Sequence, residues 1–595
     1  MMPLVLILLL AGLLQAFPQQ VRKRFDGDPN QPVRRVTAIR ISDDGEIRAI
    51  SEGSLYVYAQ GRWQAPVPAA ETWTAELAPE PAGLPVQPAT ASARQADGSL
   101  WIGTAKGLFH QLGGDWEYRQ GQRWLPNDEV LAVAVNARGD VAVGTAAGVG
   151  LIQIREITFA EKARLYEEAI EKYHRRTEFG YVLERGPRGV RDSDNDGLWT
   201  SMYGAAQCFA YAVKKDAASL ENARKAFRAL AFLSEVTQGG TPAGLPGLVA
   251  RTILPTSGPD PNAKAYTRET DAAMQKRDRK WKTLVPRWPK SADGKWYWKA
   301  DVSSDELDGH FFFYGLYYDL VAQTAAEKEE VRKVVRRIID HLVKHDFNMI
   351  DWDGKPTRWG VFSPAQLNRD KDWWAARGLN SLSILAYLKV AHHVTGDKKY
   401  HEVAQWLIKE HGYAQNAMFA KLSQGVGDGN QSDDEMAYMD YWSLLQYERD
   451  PELVERYAYS LHRYWGLDRP EVNPFFNFTA AALLKGKRYD DTHTLYDLTP
   501  AGPWLEQALD TLRRFPLDLH NYALTNSHRN DLRRLAASRG TKRNGRVLPV
   551  DERQVFHWNH DPFRLDYGGD GGTLADGTSY LLPYYMGRYL GFVKD

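Results

Sequence analysis

The stretch His393-Val394-Thr395-Gly396-Asp397 joins two segments with helical periodicity, one apolar and one charged. The same kind of link recurs as Ala212-Val213-Lys214-Lys215-Asp216 and as Gln446-Tyr447-Glu448-Arg449-Asp450, and the helix before each link is again the more apolar one. A helix that is apolar all round has to be buried, whereas a helix with a charged face lies at a surface. Six such pairs would close a barrel with an inner and an outer ring, so these links favour a double ring of helices.

Helical periodicity runs through most of the chain after Phe159. In one segment, Val331, Val335, Ile338 and Leu342 form a clear apolar stripe at three- and four-residue spacing. The predicted helices span 158–178, 198–214, 218–236, 305–322, 326–345, 376–394, 398–411, 434–448, 451–465, 475–485, 503–515 and 578–591. We therefore predict a mainly α protein whose helical domain covers 158–595.

The region 34–155 is strand-like instead. Short alternating strands followed by turns recur there at Thr37-Ala38-Ile39-Arg40-Ile41, Ala91-Ser92-Ala93-Arg94 and Leu131-Ala132-Val133-Ala134-Val135. The phrase Asp97-Gly98-Ser99-Leu100-Trp101-Ile102-Gly103-Thr104 resembles the blades of two-component-regulator propellers. A closed propeller needs about four blades, so we expect a small β domain of about three propeller-like repeats. It either caps the helical domain or adds loops to a cleft.

The link Thr395-Gly396-Asp397-Lys398-Lys399-Tyr400, together with the pairing of helices, resembles the (α/α)6 toroid of carbohydrate-active enzymes. Glycoside hydrolases, polysaccharide lyases and sugar epimerases share that fold. The resemblance covers roughly 158–595 and rests on architecture. It implies that the inner helices run parallel, with their N-termini lining one face, and that the active site lies at that face.

Composition narrows the function classes. The 595 residues contain 75 Lys and Arg and 75 Asp and Glu, so no net field attracts nucleic acid or a membrane surface. The sequence contains no P-loop, nucleotide fingerprint or serine-hydrolase elbow. Its 19 Trp and 30 Tyr suit a cleft in which sugar rings stack on aromatic side chains, and they suit a large core equally well. We predict a polysaccharide or oligosaccharide as the partner, and no nucleic acid.

The N-terminus has the features of an export signal. Pro3 to Leu14 is apolar but too short to span a bilayer, and Leu14-Gln15-Ala16 offers a cleavage site of small residues. We predict a signal peptide over 1–16 and a secreted or periplasmic protein without a stable membrane span after its removal. An uncleaved anchor is the alternative, because no Lys or Arg precedes the apolar stretch. The single cysteine, Cys208, excludes an intramolecular disulfide.

Two predicted helices begin with the phrase Ser-x-Asp-Glu, at 303–306 and at 432–435. Ser followed by Glu after three residues is typical of a capping box, which needs no function. If both helix mouths face one cavity, however, they supply the acid and the base that glycoside hydrolysis uses. The candidate catalytic carboxylates are Asp305, Glu306, Asp434 and Glu435. We favour the two aspartates, because the Ser and Glu can close the helix while the Asp faces substrate.

A second chemistry is suggested by His310 and Tyr314, which lie one helical turn apart. Such a pair could move the protons of β-elimination on a uronate, with Arg377 or Asn380 neutralising the sugar carboxylate. The alternative is a hydrogen-bonded stack inside the ring. Trp373 and Trp374 precede the helix that carries Arg377 and Asn380, and they are candidate stacking residues for a sugar.

Three further segments carry candidate site residues. The run Asp192-x-Asp194-x-Asp196-Gly197 matches the first half of a calcium loop but lacks the closing Glu, so Ca2+ and a plain Asx-turn both remain open and no cofactor is required. The segment 250–300, which contains Arg251, is basic and rich in Trp, and we predict a lid for an anionic glycan or a solvated loop. His557 and His560 lie in an irregular loop and are candidate substrate contacts.

These observations predict an exported glycan-degrading enzyme, a glycoside hydrolase acting on a possibly acidic polysaccharide or oligosaccharide. A polysaccharide lyase that cleaves a uronic-acid glycan by β-elimination is the alternative. A non-catalytic glycan-binding or sensory protein is the second alternative, suggested by the propeller-like repeats.

Overall fold

The computed structural model describes residues 16–70, 73, 77–422, 427, 429–538, 541–554 and 557–594. The predicted signal peptide therefore lies outside the described residues except for Ala16, and export stays a prediction. Within this part of the chain, strands dominate up to Ile157 and helices dominate from Phe159 onward.

Antiparallel sheets make up the N-terminal region. One sheet contains β2 (Val36–Ile41), β3 (Ile47–Ser51), β4 (Ser54–Ala59), β5 (Arg62–Trp63) and β6 (Val67–Pro68). The next contains β7 (Ala89–Arg94), β8 (Leu100–Thr104), β9 (Gly107–Leu112) and β10 (Asp115–Arg119). The last contains β11 (Val130–Val135), β12 (Val141–Thr145), β13 (Gly148–Ile157) and β1 (Phe17–Lys23). Each repeat of the sequence thus builds one sheet, and β1 adds a strand that the repeats did not predict.

The Gly-Thr step of the repeat has a packing role. A Cβ atom on Gly103 would lie 2.4 Å from a side-chain carbon of Val130, and one on Gly144 would lie 2.8 Å from Val36. Glycine at these positions lets the first strand of one sheet approach the second strand of its neighbour, and β11 contacts both β2 and β7. The described residues form three such sheets, fewer than the four or so blades of a closed propeller. The propeller resemblance therefore extends to single sheets only.

The long helices follow in pairs. They are α1 (Phe159–Ala169), α2 (Asp196–Lys214), α3 (Ala217–Glu235), α4 (Ser304–Leu320), α5 (Ala325–Lys344), α6 (Arg377–Thr395), α7 (Lys398–His411), α8 (Gln431–Tyr447), α9 (Pro451–Asp468), α10 (Pro474–Leu484), α11 (Trp504–Arg514) and α12 (Thr578–Tyr589). The links between them end one helix and begin the next. Gly396 ends α6 in the left-handed conformation, and the Asp216 side chain accepts a hydrogen bond from the Ser219 backbone N–H at 2.7 Å at the start of α3.

The apolar helices form a closed ring. In the described part of the chain, α2, α4, α6, α8, α10 and α12 contact one another in that order, and α12 contacts α2. Each inner helix is buried along most of its length, whereas a partner such as α5 buries one stripe, from Val331 to Leu342. The first helix, α1, packs against the last, α12, so the two ends of the helical region meet.

Shorter elements lie between the long helices, and one short helix lies between N-terminal strands. The short helices are Gly121–Trp124, Asn262–Ala265, Arg268–Gln275, Pro364–Arg369 and Tyr413–Ala417, with single turns at Ile170–His174, Lys371–Trp373, Arg469–Glu471 and Val550–Glu552. The short strands are Arg175–Arg176, Tyr181–Val182, Arg185–Gly186, Gly189–Val190, Ile253–Pro255, Trp296–Trp298, Asn348–Ile350, Pro356–Val361, Arg488–Asp490, Leu495–Asp497, His520–Thr525, Arg534–Ser538, Thr541–Asn544 and Asp566–Leu574. Among the helices of the described chain, none combines the length and apolar character needed to cross a membrane.

The segment 250–300 is more ordered than the sequence suggested. Its ends pair as a two-stranded hairpin, Ile253–Pro255 with Trp296–Trp298, and the Trp288 and Trp298 side chains are buried. Its cations have acidic partners: Lys282 lies 2.7 Å from Asp353, and Arg287 lies 3.2 Å from Asp301. The segment is therefore a packed connection in which the buried cations are paired with acidic groups.

Candidate functional site

The N-terminal ends of α4, α6 and α8 open on one cavity of about 560 Å³. This volume lies within the range of about 300–1,000 Å³ for ligand pockets. Asp305 of α4, Asn380 of α6 and both Asp433 and Asp434 of α8 line the cavity. Helix N-termini carry partial positive charge, which favours carboxylates at this position. The two Ser-x-Asp-Glu phrases thus face the same cavity.

Neither phrase is a capping box. Ser303 precedes α4 without a side-chain cap, and α8 begins at Gln431, three residues before the predicted start at 434, with Asn430 as its N-cap. The Asn430 side chain accepts a hydrogen bond from the Ser432 backbone N–H at 3.4 Å. Ser432 therefore lies inside the first turn. Asp433 and Asp434 both lie in the first turn of α8, and of the two only Asp433 is partly exposed to the cavity. The sequence analysis did not select Asp433 as a catalytic candidate.

Asp305 and Asp433 are the two carboxyl groups with access to the cavity from different helices. The Asn195 amide donates to Asp305 at 3.2 Å, and the Asn430 amide donates to Asp433 at 2.7 Å. Burial, together with the charges of Asp305 and Asp434, raises the pKa of Asp433 to about 7. A carboxyl group with such a pKa holds a proton near neutral pH and can donate it. The run of three acidic residues at 433–435 was the sequence signal for this residue.

Asp434, one of the two aspartates preferred from the sequence, is held in an ion pair. Its buried carboxylate pairs with the Lys421 ammonium and accepts a hydrogen bond from the Tyr464 hydroxyl at 2.8 Å. Lys421 also lies 2.7 Å from Asp468. Burial raises the pKa of Asp434 although the Lys421 charge opposes this. Its catalytic role stays a prediction, and the ion pair favours Asp433 as the group that is available to a substrate.

The same cluster brings three acidic side chains close together. Within the part of the chain that is described, Asp434, Asp468 and Glu471 form the one group of three metal-type side chains whose oxygen atoms lie within 4.8 Å of one another. Burial raises the pKa of Asp468 to about 8, and burial raises the pKa of Glu471 as well. The Lys421 ammonium already supplies the positive charge at this point.

Glu306 and Glu435 lie behind the cavity wall, so the structure does not place either where a substrate would bind. Both side chains are buried, and neither lines the cavity. Burial raises the pKa of each carboxyl group well above its usual range. The Glu306 carboxylate lies 3.8 Å from the Nε2 atom of His310, which is itself buried.

The His310–Tyr314 pair is internal. The His310 Nδ1 atom and the Tyr314 hydroxyl form a hydrogen bond of 2.8 Å, and both side chains are fully buried. Burial lowers the pKa of His310 to about 3, so the ring is neutral. This geometry matches the hydrogen-bonded stack and not the proton-transfer pair of a lyase, because a substrate in the cavity does not reach these groups.

Aromatic and polar groups complete the cavity wall. Trp373 lines it as predicted, and Trp359 lines it without having been predicted. Arg251 also lines it, and the Asn380 amide donates to the backbone oxygen of Val361 at 2.8 Å. Two predicted substrate contacts lie outside this wall: Arg377 is exposed, and Trp374 is 56% exposed.

The predicted calcium loop holds its carboxylates apart. Asp196 is buried and pairs with Arg176, whereas Asp194 pairs with Lys299 and lies 3.7 Å from Arg251. In the described residues, Asp192, Asp194 and Asp196 do not bring their oxygen atoms together as one ligand set. Because Asp194 and Asp196 pair with different cationic side chains, these contacts favour the structural Asx-turn, and Ca2+ binding at this loop stays a prediction.

A second cavity of about 340 Å³ lies on the same face of the ring. His557, His560 and Asp192 line it, and so does Trp199. Burial opposes a charge on His557, but the Asp576 carboxylate 2.8 Å away dominates and raises the pKa of His557 to about 9. Burial lowers the pKa of His560 to about 4. Of the two histidines, only His557 is a cation at neutral pH.

No family model matches this chain, and no curated protein does. Among solved structures, a sugar epimerase from a ruminal bacterium is similar at a TM-score of 0.38 and 11% identity, over 73% of this chain and 100% of that one. A single mutant of a thermostable endoglucanase from Alicyclobacillus acidocaldarius is similar at 0.38 and 11%, over 95% and 100%. A streptogramin B lyase is similar at 0.10 and 14%, over 23% and 45%. TM-scores this low assign the chain neither to a family nor to an activity.

Proposed function

We propose that this protein is a carbohydrate-processing enzyme, a glycoside hydrolase whose general acid is Asp433 and whose general base is Asp305. One observation carries the proposal. Two carboxyl groups on different inner helices share a cavity, and the environment raises the pKa of one of them to about 7. Glycoside hydrolysis uses such a pair, because one group must give a proton while the other accepts one.

The residues would divide the reaction as follows. Asp433 transfers its proton to the glycosidic oxygen as the bond from that oxygen to the anomeric carbon breaks. Asp305 takes a proton from a water molecule, whose oxygen forms the new bond to the anomeric carbon. Proton exchange with solvent then restores both groups. Because water attacks directly, this assignment predicts inversion at the anomeric carbon, which proton NMR of the first product would show.

The cavity wall supports a sugar as the substrate. Trp359 is 36% exposed and offers a ring to the apolar C–H surface of a sugar, whereas Trp373 is buried with the Lys280 ammonium over its ring. Asn380 and Arg251 offer polar groups for sugar hydroxyls. The large basic surface that suggested an acidic glycan is absent from the described part of the cavity wall, where Arg251 and Lys421 both have acidic partners. We therefore propose a glycan as the substrate, and this glycan need not be acidic.

No observation on the described residues favours the lyase alternative, since His310 and Tyr314 are internal.

We propose two further properties of this enzyme, export and independence of a metal ion. The apolar segment before Ala16 would export the protein, and N-terminal sequencing of the mature protein tests this. No step above needs a metal, so treatment with a chelator such as EDTA should leave the rate unchanged.

The proposal is tested by incubating the protein with neutral and acidic polysaccharides. Release of reducing ends is followed together with the ultraviolet absorbance of a new double bond. We expect reducing ends without absorbance, and loss of product in Asp305→Asn and Asp433→Asn. Absorbance would show a lyase, and binding without any product would show a glycan-binding protein; either result contradicts the proposal.

A further inference from the structure

The second cavity has the composition of a sugar-binding site. Its side chains include an aromatic ring, Trp199, and two carboxylates, Glu184 and Asp192. The ring of Trp199 is partly exposed, and one of its faces stacks on His557 with 4.3 Å between ring centroids and an angle of 15°. The His557–Asp576 ion pair is buried behind it. Trp199 is thus held rigidly, with little conformational entropy left to lose on binding a ligand.

The two cavities are neighbours. Ser193 lines the second cavity, and two residues later Asn195 donates to Asp305, which lines the first. The segment 193–195 therefore contacts the lining of both cavities.

The polar groups of the second cavity are mixed in sign. Glu184 and Asp192 accept hydrogen bonds, and Arg191 donates them. Charged groups of both signs at one rim suit hydroxyl groups, which both donate and accept hydrogen bonds. They suit a ligand of a single charge less well, because the groups of like charge would repel it. A volume of about 340 Å³ lies at the lower end for ligand pockets and suits a small ring.

From these contacts we infer that the second cavity is a subsite for a neutral sugar residue, and that the substrate is a glycan chain that spans both cavities. The inference rests on the proposed function and adds to it the class and minimum length of the substrate. Trp199 provides the stacking surface, while Glu184, Asp192 and Arg191 bind the hydroxyl groups.

The experiment compares substrates of two lengths. Disaccharides and hexasaccharides of the cello, manno and xylo series are assayed for turnover, and hexasaccharide binding to Asp433→Asn is measured by calorimetry. We expect Trp199→Ala to lower kcat/KM about tenfold or more for the cleaved hexasaccharide, and much less for the disaccharide. Trp199→Phe should restore most of the loss. Glu184→Gln gives a second variant if Trp199→Ala does not fold, with the same dependence on length.

The matched control is Trp406→Ala, since that side chain on α7 is 44% exposed and lies outside both cavities. It should behave as wild type at both lengths. Equal losses at the two lengths in Trp199→Ala, or no loss at either, would overturn the inference while hydrolysis itself stands. If the wild type cleaves nothing but Trp199→Ala still weakens hexasaccharide binding, the subsite stands and the hydrolase proposal fails.

Discussion

Asp433 and Asp434 are adjacent in sequence but have opposite environments. Asp434 pairs with Lys421, whereas Asp433 is partly exposed to the cavity and accepts a hydrogen bond from the Asn430 amide. Partial burial, and then the negative charges of Asp305 and Asp434, raise the pKa of Asp433. The assignment of the acid therefore depends on a lysine from a different segment.

We expect Asp433→Asn to abolish activity and to stabilise the protein at alkaline pH. The folded pKa of about 7 lies above that of the unfolded chain, so the stability present at low pH is lost as pH rises through about 7. Asn cannot ionise and avoids this loss. Turnover should fall by a factor of about 100 or more, while the Tm at pH 8 exceeds that of the wild type and the Tm at pH 4 changes less.

The control for this prediction is Asp26→Asn, whose side chain is 73% exposed. It should change neither turnover nor the pH dependence of Tm. A wild-type kcat/KM that does not decline above about pH 7 would also contradict the role of Asp433, because the general acid must be protonated.

Tyr314→Phe separates the hydrolase from the lyase. The Tyr314 hydroxyl bonds to the buried His310 ring, so its removal should lower the free energy of unfolding by about 1–3 kcal/mol. Turnover per folded molecule should stay within about twofold of wild type, since a general acid–base role would contribute about 100-fold or more. The measurements are urea unfolding and initial rates; a large fall in kcat with unchanged stability would return this pair to the chemistry.

Sequence patterns identified helices whose N-termini line the first cavity, but not which of their carboxylates are accessible there. They placed acidic residues at the mouths of α4 and α8, because N-cap signals are local in sequence. They missed that Asn430, and not Ser432, caps α8, and they could not show Lys421 beside Asp434. Which carboxylate stays free depends on contacts between distant segments.

At the scale of elements, the inner helices meet through a buried polar contact. Tyr387 of α6 donates to Asp308 of α4, and Ser383 of α6 donates to Asp440 of α8 at 2.5 Å. Burial raises the pKa of Asp308 to about 8 and raises that of Asp440 well above its usual range. When two buried carboxyl groups lie close together, ionising both costs more free energy than ionising one. The contact of three helices therefore depends on at least one retained proton.

We predict that Asp440→Asn reduces the alkaline sensitivity of the fold. Because the folded pKa of Asp308 is raised, the wild type loses stability as pH rises through about 8. The loss is about 1.4 kcal/mol per pH unit for each proton released. Urea unfolding of wild type and variant at pH 5 and pH 9 measures it, since the loss accumulates between the unfolded pKa of about 4 and the folded pKa of about 8. Glu330→Gln, a change at an exposed carboxylate on α5, is the control. Parallel pH dependence in wild type and Asp440→Asn would contradict the prediction.

The helices themselves were largely predictable, because apolar periodicity is a property of neighbouring residues. The main exception is the segment predicted as a helix over 158–178, where α1 ends at Ala169, a wider turn follows and the chain enters a short strand at Arg175. The strand Asp566–Leu574 was also missed. Its Gly-rich sequence suggests a loop, and its pairing with His520–Thr525 is a contact over a long sequence distance.

At the scale of the whole molecule, the N-terminal sheets are joined to the helical ring by buried charges. Arg119 of β10 lies 3.0 Å from Asp551, and Arg123 donates to the backbone oxygen of Arg553 at 2.9 Å. Among the described residues, none from 16–157 lines either cavity. The sheets instead hold the turn Val550–Glu552, which lies a few residues before His557. An effect of the sheets on the second cavity would therefore be indirect.

We predict that Arg119→Met destabilises the whole protein and weakens the second cavity. Its guanidinium is almost fully buried between Asp551 and Glu117, and removing it leaves Arg514 as the remaining cation beside both carboxylates. The expected loss is about 1.5–3 kcal/mol in the free energy of unfolding, the contribution of hydrogen bonds to charged groups. Arg48→Met is the matched control, because its ion pair with Glu46 is exposed and should contribute about 1 kcal/mol or less.

The readouts for Arg119→Met are urea unfolding and hexasaccharide binding, both measured where the variant is still folded. If the sheets position the turn before His557, binding falls along with stability, while Arg48→Met changes neither. A loss of stability with unchanged binding would show that the sheets only cap the ring. A loss no larger than that of Arg48→Met would show that the buried charges do not join the two regions.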